Sequence, residues 1–310
     1  MRIFIRPTAF PPAQREQLKA RFSHHEWIEE DAQSHLAEVW IAFPQSVTKA
    51  HLDLMPKLKW IHLLMAGFNT VDLPDLERRG IVLTNSKDVF SIQIAEDVFA
   101  KILAINRDVR TFHDQQKAHV WKTIPNELEL YRSTVGIVGA GSIGGEVAKR
   151  MKAFGASVLG WKRTPSIDPL YDEILTGRDG LKELLNKSDY VVLAVPLNPF
   201  TRHLINRETL SWMRPTAVLV NVARGEIVDQ DALVEALKNR AIRAAALDVT
   251  SPEPLPADHP LWDLDNLLLT PHNASSSVRM LERMVDLTIE NLARYEAKEA
   301  LLHVVETKRG

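Results

Sequence analysis

A glycine-rich turn between a buried strand and a helix constrains the fold of this chain more than any other feature. In the stretch TVGIVGAGSIGGEVAKRMKAF an apolar run gives way to Gly139, Gly141 and Gly144, after which apolar side chains recur at helical spacing. Such a turn uses one glycine for the tight bend, one to admit a pyrophosphate and one for close packing of helix on strand. With Ser142 and Ile143 inside it, the turn predicts a dinucleotide site at a helix N-terminus; a turn that serves packing alone is the alternative.

Strands and helices alternate on both sides of this turn. Apolar runs such as RIFIR, EVWIAF and IVLTNS come before it, and YVVLAV, AVLVNV and LLLTPH come after it. This alternation favours parallel sheets that are covered on both faces. The sequence therefore predicts an α/β fold of two doubly wound parallel-sheet domains, one formed by residues 1–100 plus 275–310 and the other by residues 101–274. One continuous helix is predicted over residues 92–116, and another over roughly 276–297.

Composition and charge exclude several classes of function. The 310 residues carry a formal net charge of -2, so no general attraction to nucleic acid or to an anionic membrane is expected. There is no cysteine, which excludes disulfides, a thiolate nucleophile and a cysteine-ligated metal. The opening MRIFIRPTAFPPA lacks the apolar core of a signal peptide, and we expect a cytoplasmic protein. No metal site is expected, because the doublet His24–His25 lies in an ordinary polar stretch and no carboxylate cluster converges.

Four motifs follow one another at separations that are typical of one enzyme family. They are TVGIVGAGSIGGEVAKRMKAFGASV, NVARGEIVD, ALDVTSPEPLP and LLLTPHNAS. Together with HLLMAGFNTVDL and VLTNSKDVFSIQIAED, they resemble the D-isomer-specific 2-hydroxyacid dehydrogenase family over nearly the whole chain. The resemblance implies a Rossmann cofactor domain (101–274) inserted in a flavodoxin-like substrate domain (1–100 plus 275–310), with the active site in the cleft between them. Members of this family are usually homodimers that pair through the cofactor domains.

Three side chains near strand ends are candidates for the chemistry of 2-keto acid reduction. Arg224 follows the strand AVLVNV, and its planar guanidinium can form two parallel hydrogen bonds with a carboxylate. His272 follows the strand LLLTP, and an imidazole can hold a proton near neutral pH and donate it to a developing alkoxide. Glu253 lies between two prolines, and the resemblance pairs it with the histidine, where a carboxylate favours the protonated imidazole. We predict these three residues as catalytic, with Arg224 and His272 also contacting the substrate.

The resemblance implies further contacts to substrate and cofactor. The stretch LLMAGFNTVD resembles the loop whose backbone amides meet the substrate carboxylate, so Met65, Ala66 and Gly67 are expected to border the substrate. Phe68 leaves the preferred chain length of the substrate open, and a core position for Met65 is the alternative. Asp248 matches a position near the nicotinamide carboxamide. The other residues that the resemblance places against the cofactor are Val195, Pro196, Thr201, Val222 and Ala223.

The stretch GWKRTP, at the end of the second strand of the predicted cofactor domain, departs from the usual pattern. Dinucleotide-binding folds commonly carry an acidic residue there, which hydrogen-bonds to the ribose. NAD-using relatives place aspartate at the position that Lys162 matches. Trp161, Lys162, Arg163 and Thr164 instead offer positive charge and donors that suit a 2′-phosphate. We therefore predict that NADP(H) is preferred; the alternative, a solvated basic turn, allows NAD(H).

The sequence thus predicts an oxidoreductase that transfers a hydride from NADPH to a small 2-keto acid and yields a D-2-hydroxy acid. Glyoxylate and hydroxypyruvate reductases look most similar, because of the tryptophan and basic residues in GWKRTP, and a longer 2-keto acid is a further option. Two other interpretations stay open: a non-catalytic nucleotide sensor similar to dehydrogenase-related corepressors, and a formate or phosphite dehydrogenase on the same scaffold. The expected partners are the small acid and a second copy of the chain. The segment 95–121 is a candidate dimer surface, although its periodicity equally allows a core helix.

Overall fold

The computed structural model describes residues 1–125 and 128–306, which divide into two compact units. One unit comprises Met1–Phe90 and the segment that begins at Ser277, and the other comprises Ser91–Ser276. The predicted boundary at 100/101 falls inside a helix that starts at Ser91, and the predicted boundary at 274/275 precedes the division after Ser276. The helix belongs as a whole to the second unit because its buried side chains pack there. Apolar spacing along a helix does not indicate where a unit begins.

The first unit contains a sheet whose described strands run in parallel. These strands are β1 Arg2–Ile5, β2 Glu26–Ile28, β3 Val39–Ala42, β4 Trp60–Leu63 and β5 Val82–Thr84. The helices of the unit are α1 Pro12–Arg21, α2 Lys49–Asp53 and α3 Leu73–Arg79, followed at the end of the chain by α10 Met280–Ala297. The strand order is β2-β1-β3-β4-β5, which is the flavodoxin-like order.

Consecutive apolar side chains explain why this sheet is covered on both faces. Ile3, Phe4 and Ile5 of β1 are all at most 1% exposed, although neighbouring residues of a strand point to opposite faces. A strand of this kind is stable only when helices cover both sides of the sheet. Helix α10, which corresponds to the helix predicted over roughly 276–297, packs against α1 and supplies part of that cover.

The second unit contains a longer parallel sheet. Its described strands are β6 Thr134–Val138, β7 Ser157–Trp161, β8 Glu173–Leu175, β9 Tyr190–Leu193, β10 Val218–Asn221, β11 Ala244–Leu247 and β12 Leu267–Leu269. Its described helices are α4 Ser91–Asn106, α5 Val109–Lys117, α6 Ser142–Ala153, α7 Gly177–Lys187, α8 Arg207–Leu210 and α9 Gln230–Lys238. The strands lie side by side in the order β12-β11-β10-β9-β6-β7-β8. Successive strands are added on one side of β6 up to β8 and then on its other side from β9 onward, which is the arrangement of a Rossmann fold. The predicted fold class of two doubly wound parallel sheets is confirmed.

The helical pattern of residues 92–116 forms two helices instead of the single helix predicted. Helix α4 ends at Asn106 and α5 begins at Val109. Asp108 between them has a φ of 49°, in the left-handed region, and such a residue cannot continue a right-handed helix. None of the described helices combines the length and the apolarity that a membrane-spanning segment requires.

Candidate active site

The residues predicted to bind the cofactor or catalyse the reaction lie at one edge of the sheet of the second unit. Parallel strands all end at the same edge, and in open α/β sheets ligands bind there, next to the point where the strand order reverses. The glycine turn follows β6, and the WKRT stretch begins with Trp161, the last residue of β7. Val195 follows β9, Arg224 follows β10, Asp248 follows β11 and His272 follows β12. Residues as far apart in sequence as Gly139 and His272, which are separated by 133 positions, thus lie at a single edge of the sheet.

The three fingerprint glycines each have a separate structural reason. Gly139 has a φ of 113°, and a Cβ there would lie 2.6 Å from the Ala194 carbonyl oxygen. A Cβ at Gly144 would collide with the Gly139 carbonyl oxygen, so glycine allows α6 to approach the turn. A Cβ at Gly141 would meet nothing within 4 Å, which leaves the space in front of the backbone open. Helix α6 starts directly after Gly141, so its N-terminal N–H groups and positive dipole end face this space and fit a pyrophosphate.

Ser142, the first residue of α6, is held in place by a second serine. Its hydroxyl lies 2.6 Å from the hydroxyl of Ser91, the first residue of α4. The contact ties the starts of two helices that pack against each other within this unit. The following residue, Ile143, is half-buried in the turn.

The WKRT stretch leaves the sheet beside the glycine turn. The register pairs Val138 at the end of β6 with Trp161 at the end of β7. The Trp161 indole donates to the Gly177 carbonyl oxygen (2.8 Å), which fixes the ring at the root of the stretch. Lys162 is half-buried, whereas Arg163 and Thr164 are exposed. Across residues 1–125 and 128–306 neither Lys162 nor Arg163 forms an ion pair, so both positive charges are available to a ligand.

His272 and Glu253 form the expected pair. The His272 Nδ1 lies 2.8 Å from Glu253 Oε2, and the other oxygen of Glu253 accepts from the Thr250 backbone N–H (3.1 Å). Because a carboxylate accepts, the hydrogen on this side belongs to Nδ1, which leaves Nε2 directed away from Glu253. His272 has a φ of 52°, and its backbone N–H donates to the Asp248 carbonyl oxygen (2.7 Å). Hydrogen bonds therefore position both the imidazole ring and the backbone of His272.

Arg224 lies in a turn that is shaped by a fully buried amide. Asn221, the last residue of β10, accepts from the Ala223 N–H (3.0 Å) and donates to the Arg224 carbonyl oxygen (2.9 Å). The guanidinium donates from Nη1 to the Ala223 carbonyl oxygen (2.6 Å), and within the described chain no carboxylate pairs with it. The next residue, Gly225, packs so closely on the Thr250 backbone that a Cβ would collide with its carbonyl. The turn of Arg224 and the loop that leads to Glu253 are thus fixed to each other.

Asp248 is a buried anchor for the loop that carries His272. Its carboxylate, 2% exposed, accepts from the Thr270 hydroxyl (2.5 Å) on one side of His272 and from the Asn273 and Ala274 N–H groups (3.0 and 2.9 Å) on the other. The buried Lys101 ammonium lies 3.6 Å from this carboxylate and also pairs with Asp97. Burial raises the pKa of the Asp97 carboxyl, an effect that the hydrogen bond from Lys101 opposes.

The remaining residues predicted on the cofactor side line the same edge. Val195, Val222 and Ala223 are each 7% exposed, directly after β9 and β10. The Thr201 hydroxyl donates to the carbonyl oxygen of the exposed Pro196 (2.6 Å). This hydrogen bond joins the two ends of the loop that follows β9.

The stretch Met65–Phe68 belongs to the first unit, where it follows β4. Met65 is 40% exposed, which argues against the alternative of a core position. Its carbonyl oxygen accepts from the Ser86 N–H (3.1 Å), and that of Ala66 accepts from the Asn85 side chain (2.7 Å). Gly67 and Phe68 are half-buried. The loop is therefore held through its carbonyl groups.

Several supporting residues were missed at the level of sequence. They are Lys101, Asn221, Gly225 and Thr270. Lys101 carried a signal, since it falls on the apolar stripe of Ile94, Val98 and Ile102, where a charged residue needs a buried partner. Asn221 and Thr270 are polar residues at strand ends, but the sequence does not show which neighbouring strand they meet.

Comparison with known proteins identifies the family. The family model described as D-isomer specific 2-hydroxyacid dehydrogenase, NAD binding domain matches residues 99–274, more than half of the chain. The chain belongs to the D-isomer specific 2-hydroxyacid dehydrogenase family. The predicted family is confirmed, and the second unit is its NAD-binding domain.

Relatives of this dehydrogenase resemble it over most of its length. A glyoxylate reductase of Pyrococcus horikoshii is 37% identical over 265 residues, which are 82% of this chain and 78% of that protein. A solved family member from Xanthobacter autotrophicus, in complex with NADPH and MES, superposes with a TM-score of 0.83 at 29% identity. The match covers 99% of this chain and 98% of that chain. The D-lactate dehydrogenase of Aquifex aeolicus, solved with NAD and lactic acid, superposes with a TM-score of 0.78 at 27% identity, over 96% of both chains.

Proposed function

We propose that this dehydrogenase reduces a small 2-keto acid to the D-2-hydroxy acid, with NADPH as the preferred hydride donor. The observation that carries the proposal is the His272–Glu253 pair at the same sheet edge as Arg224 and the glycine turn. In this proposal Arg224, Glu253 and His272 are the catalytic residues, and the first unit, with Met65, Ala66 and Gly67, is the substrate domain.

Each of the three residues has a task that follows from its geometry. Arg224 has a guanidinium without a carboxylate partner in the described chain, and it binds the carboxylate and the adjacent carbonyl oxygen of the keto acid. When bound, NADPH supplies a hydride to C2 of the keto acid. His272 donates a proton from Nε2 to the oxygen of that carbon, so that hydride and proton together convert the carbonyl to a hydroxyl.

Glu253 acts through His272. Its carboxylate at 2.8 Å holds the hydrogen on Nδ1 and offsets the positive charge of the imidazolium, which keeps a proton on Nε2 for transfer. In the oxidative direction the neutral Nε2 accepts the proton from the hydroxyl group. Asp248 holds the loop of His272 in place, because its carboxylate accepts hydrogen bonds from the Thr270 hydroxyl before His272 and from the Ala274 backbone N–H after it.

The cofactor preference rests on the stretch after β7. Lys162, Arg163 and Thr164 lie beside the glycine turn with two positive charges and a hydroxyl that suit a ribose 2′-phosphate. The double variant Lys162→Asp/Arg163→Ala is expected to lower kcat/KM with NADPH and to raise it with NADH. The double variant Lys149→Asp/Lys152→Ala, on α6, lowers the net charge by the same three units and serves as the charge-matched control. Equal efficiency of the unmodified enzyme with NADPH and NADH would refute the preference.

The test of the reaction is a panel of acids assayed with NADPH and NADH in parallel. Glyoxylate, hydroxypyruvate and longer 2-keto acids are followed by loss of absorbance at 340 nm, and formate and phosphite by its gain with the oxidised cofactors. Turnover of at least one keto acid is the expected result, with glyoxylate and hydroxypyruvate as first candidates. NADPH binding without turnover of any acid would favour a nucleotide sensor, and turnover of formate or phosphite alone would exclude keto acid reduction.

We also propose a homodimer formed by the second unit, in the cytoplasm. Large apolar side chains are exposed along and after α5: Trp121 fully, and Val109, Phe112 and Val120 by 42–52%. A patch of this kind in a water-soluble protein typically marks an interface. Light scattering behind a sizing column should give twice the chain mass, and Trp121→Asp should shift it toward the monomer. A monomeric unmodified protein at micromolar concentration would contradict the dimer.

A further inference from the structure

Two histidines and a glutamate converge in the first unit, outside the proposed catalytic machinery. His24 and His25 lie between α1 and β2, and Glu296 lies in the last turn of α10. The His24 Nε2 is 2.7 Å from Glu296 Oε1, and the His25 Nε2 is 3.8 Å from Glu296 Oε2. One donor atom from each side chain lies within 4.8 Å of the other two. Helix α10 packs on α1, so the fold itself brings the doublet and the carboxylate together.

His25 contributes a buried nitrogen without a hydrogen bond. Its side chain is 7% exposed, and its Nε2 has no hydrogen-bond partner in the part of the chain that the structure describes. The ring stacks on Phe22, with the ring centroids 6.1 Å apart and the planes at 5°, which fixes the direction of Nε2 toward Glu296. On its other side Nδ1 lies 3.5 Å from the Met1 amino group. A buried nitrogen that is left without a hydrogen bond costs free energy unless a ligand occupies its lone pair.

We propose that His24, His25 and Glu296 bind a divalent transition-metal ion of the Zn²⁺ class, with water as the fourth ligand. Two imidazoles and one carboxylate are a donor set that zinc uses in proteins. Around a tetrahedral zinc the ligand atoms stand roughly 3.3 Å apart, given metal–ligand distances of about 2.0–2.1 Å. The separations of 2.7 and 3.8 Å lie on either side of that value. The two separations involve different oxygens of Glu296, and the three ligand atoms lie within 4.8 Å of one another, so side-chain shifts of up to about 1.5 Å would bring one carboxylate oxygen and both nitrogens to this spacing.

The bound ion would connect the two ends of a discontinuous unit. His24 and Glu296 are 272 positions apart, and the second unit is inserted between them along the chain. An ion that binds only the folded arrangement stabilises it in proportion to the logarithm of its concentration over Kd. The site therefore acts as a structural clamp between the loop after α1 and the end of α10, and it takes no part in hydride transfer.

The simpler alternative is an ion pair between His24 and Glu296 with His25 packed beside it. The two explanations differ in what Zn²⁺ does to the full-length protein, purified without a polyhistidine tag and treated with chelator. Calorimetric titration should show one saturable Zn²⁺ site per chain, and Zn²⁺ should raise the Tm. Co²⁺ in the same site should give the visible absorption of a tetrahedral complex. His24→Ala and Glu296→Gln should each weaken binding at least about tenfold and abolish the Tm increase.

His35→Ala is the matched control, because His35 is an exposed histidine of the same unit that does not touch the cluster. Its Zn²⁺ affinity should equal that of the unmodified protein. Keto acid turnover should stay the same in all three variants, which separates this test from that of the proposed function. Absence of saturable Zn²⁺ binding, or equal affinity in His24→Ala, Glu296→Gln and the unmodified chain, would overturn the proposal.

Discussion

His272 shows how much positioning a single side chain requires. Its ring is held by Glu253, and its backbone N–H donates to the carbonyl oxygen of Asp248. A φ of 52° is uncommon for a residue other than glycine, so the chain accepts a small conformational cost to direct this side chain. Residues held in this way cluster at functional sites.

The first prediction concerns the proton donor. His272→Gln removes the imidazole that is proposed to donate the proton but keeps a polar side chain of similar reach, so kcat for keto acid reduction should fall by roughly 10²–10⁴-fold. The Kd for NADPH, measured by fluorescence titration, should change less than about twofold. His203→Gln is the control, because His203 is an exposed histidine of the same unit with a φ of 50°. Turnover by His272→Gln at the rate of the control would remove His272 from the mechanism.

At this scale the motifs predict candidate reactive residues and do not indicate the residues that support them. Arg224, Glu253 and His272 were predicted because each lies in a continuous motif at a recognisable position. Lys101 and Asn221 were not found, since their importance depends on burial beside strands that are distant in sequence. The same reason hid the cluster at His24 and His25, whose carboxylate lies 272 positions away from His24.

Among the elements, the β6–α6 connection shows that three glycines in one motif have different tasks. Gly144 faces the backbone of the turn itself, whereas Gly141 faces open space. The first therefore acts on the packing of helix against strand, and the second acts on the approach of a ligand. The elements around this turn were predicted well, because apolar periodicity and glycine spacing both report local geometry.

This difference gives the second prediction. Gly144→Ala should lower the stability of the protein without cofactor by about 1–3 kcal/mol, because the added carbon collides with the Gly139 carbonyl oxygen. Gly141→Ala should leave that stability within about 1 kcal/mol, since its φ of -106° suits alanine, yet weaken NADPH binding at least about tenfold. Thermal unfolding and NADPH titration measure the two effects. An unchanged NADPH affinity in Gly141→Ala would contradict a pyrophosphate at this turn.

The α4–α5 break marks where periodicity stops being informative. Asp108 ends one helix by its backbone conformation, and no change in apolar spacing announces this. The α5 segment has no buried residue, so no core contact holds it in line with α4. A prediction from spacing alone therefore merged the two helices.

Over the whole molecule, we expect the stability of the two units to depend on different solutes. In the proposed function a cofactor at the glycine turn stabilises the second unit, whereas protons act on the first unit through a buried imidazole. His62 of β4 is fully buried, and its Nδ1 lies 2.9 Å from the Thr84 hydroxyl, which also accepts from Trp60. Its Nε2 has no hydrogen-bond partner among residues 1–125 and 128–306. Burial, together with the charge of His303, lowers the pKa of His62 to about 3.

The lowered pKa makes the stability of the chain depend on pH in a defined direction. The unfolded chain binds a proton at His62 with a pKa of about 6.5, whereas the folded chain binds it only near pH 3. The contribution of His62 to stability is therefore complete above about pH 6.5 and is lost as the pH falls toward 3. Well inside this window the slope from one such group is about 1.4 kcal/mol per pH unit.

His62→Gln should remove this slope. Urea unfolding of the unmodified protein and of the variant, followed by tryptophan fluorescence between pH 4.5 and 7.5, gives the free energy of unfolding at each pH. The two curves should run parallel above about pH 7, with the variant lower because glutamine fills the buried space less well, and they should converge as the pH falls. His35→Gln, at an exposed histidine of the same unit, should keep the pH dependence of the unmodified protein. Parallel curves for His62→Gln over the whole range would mean that His62 titrates alike in the folded and unfolded chains, contrary to its burial.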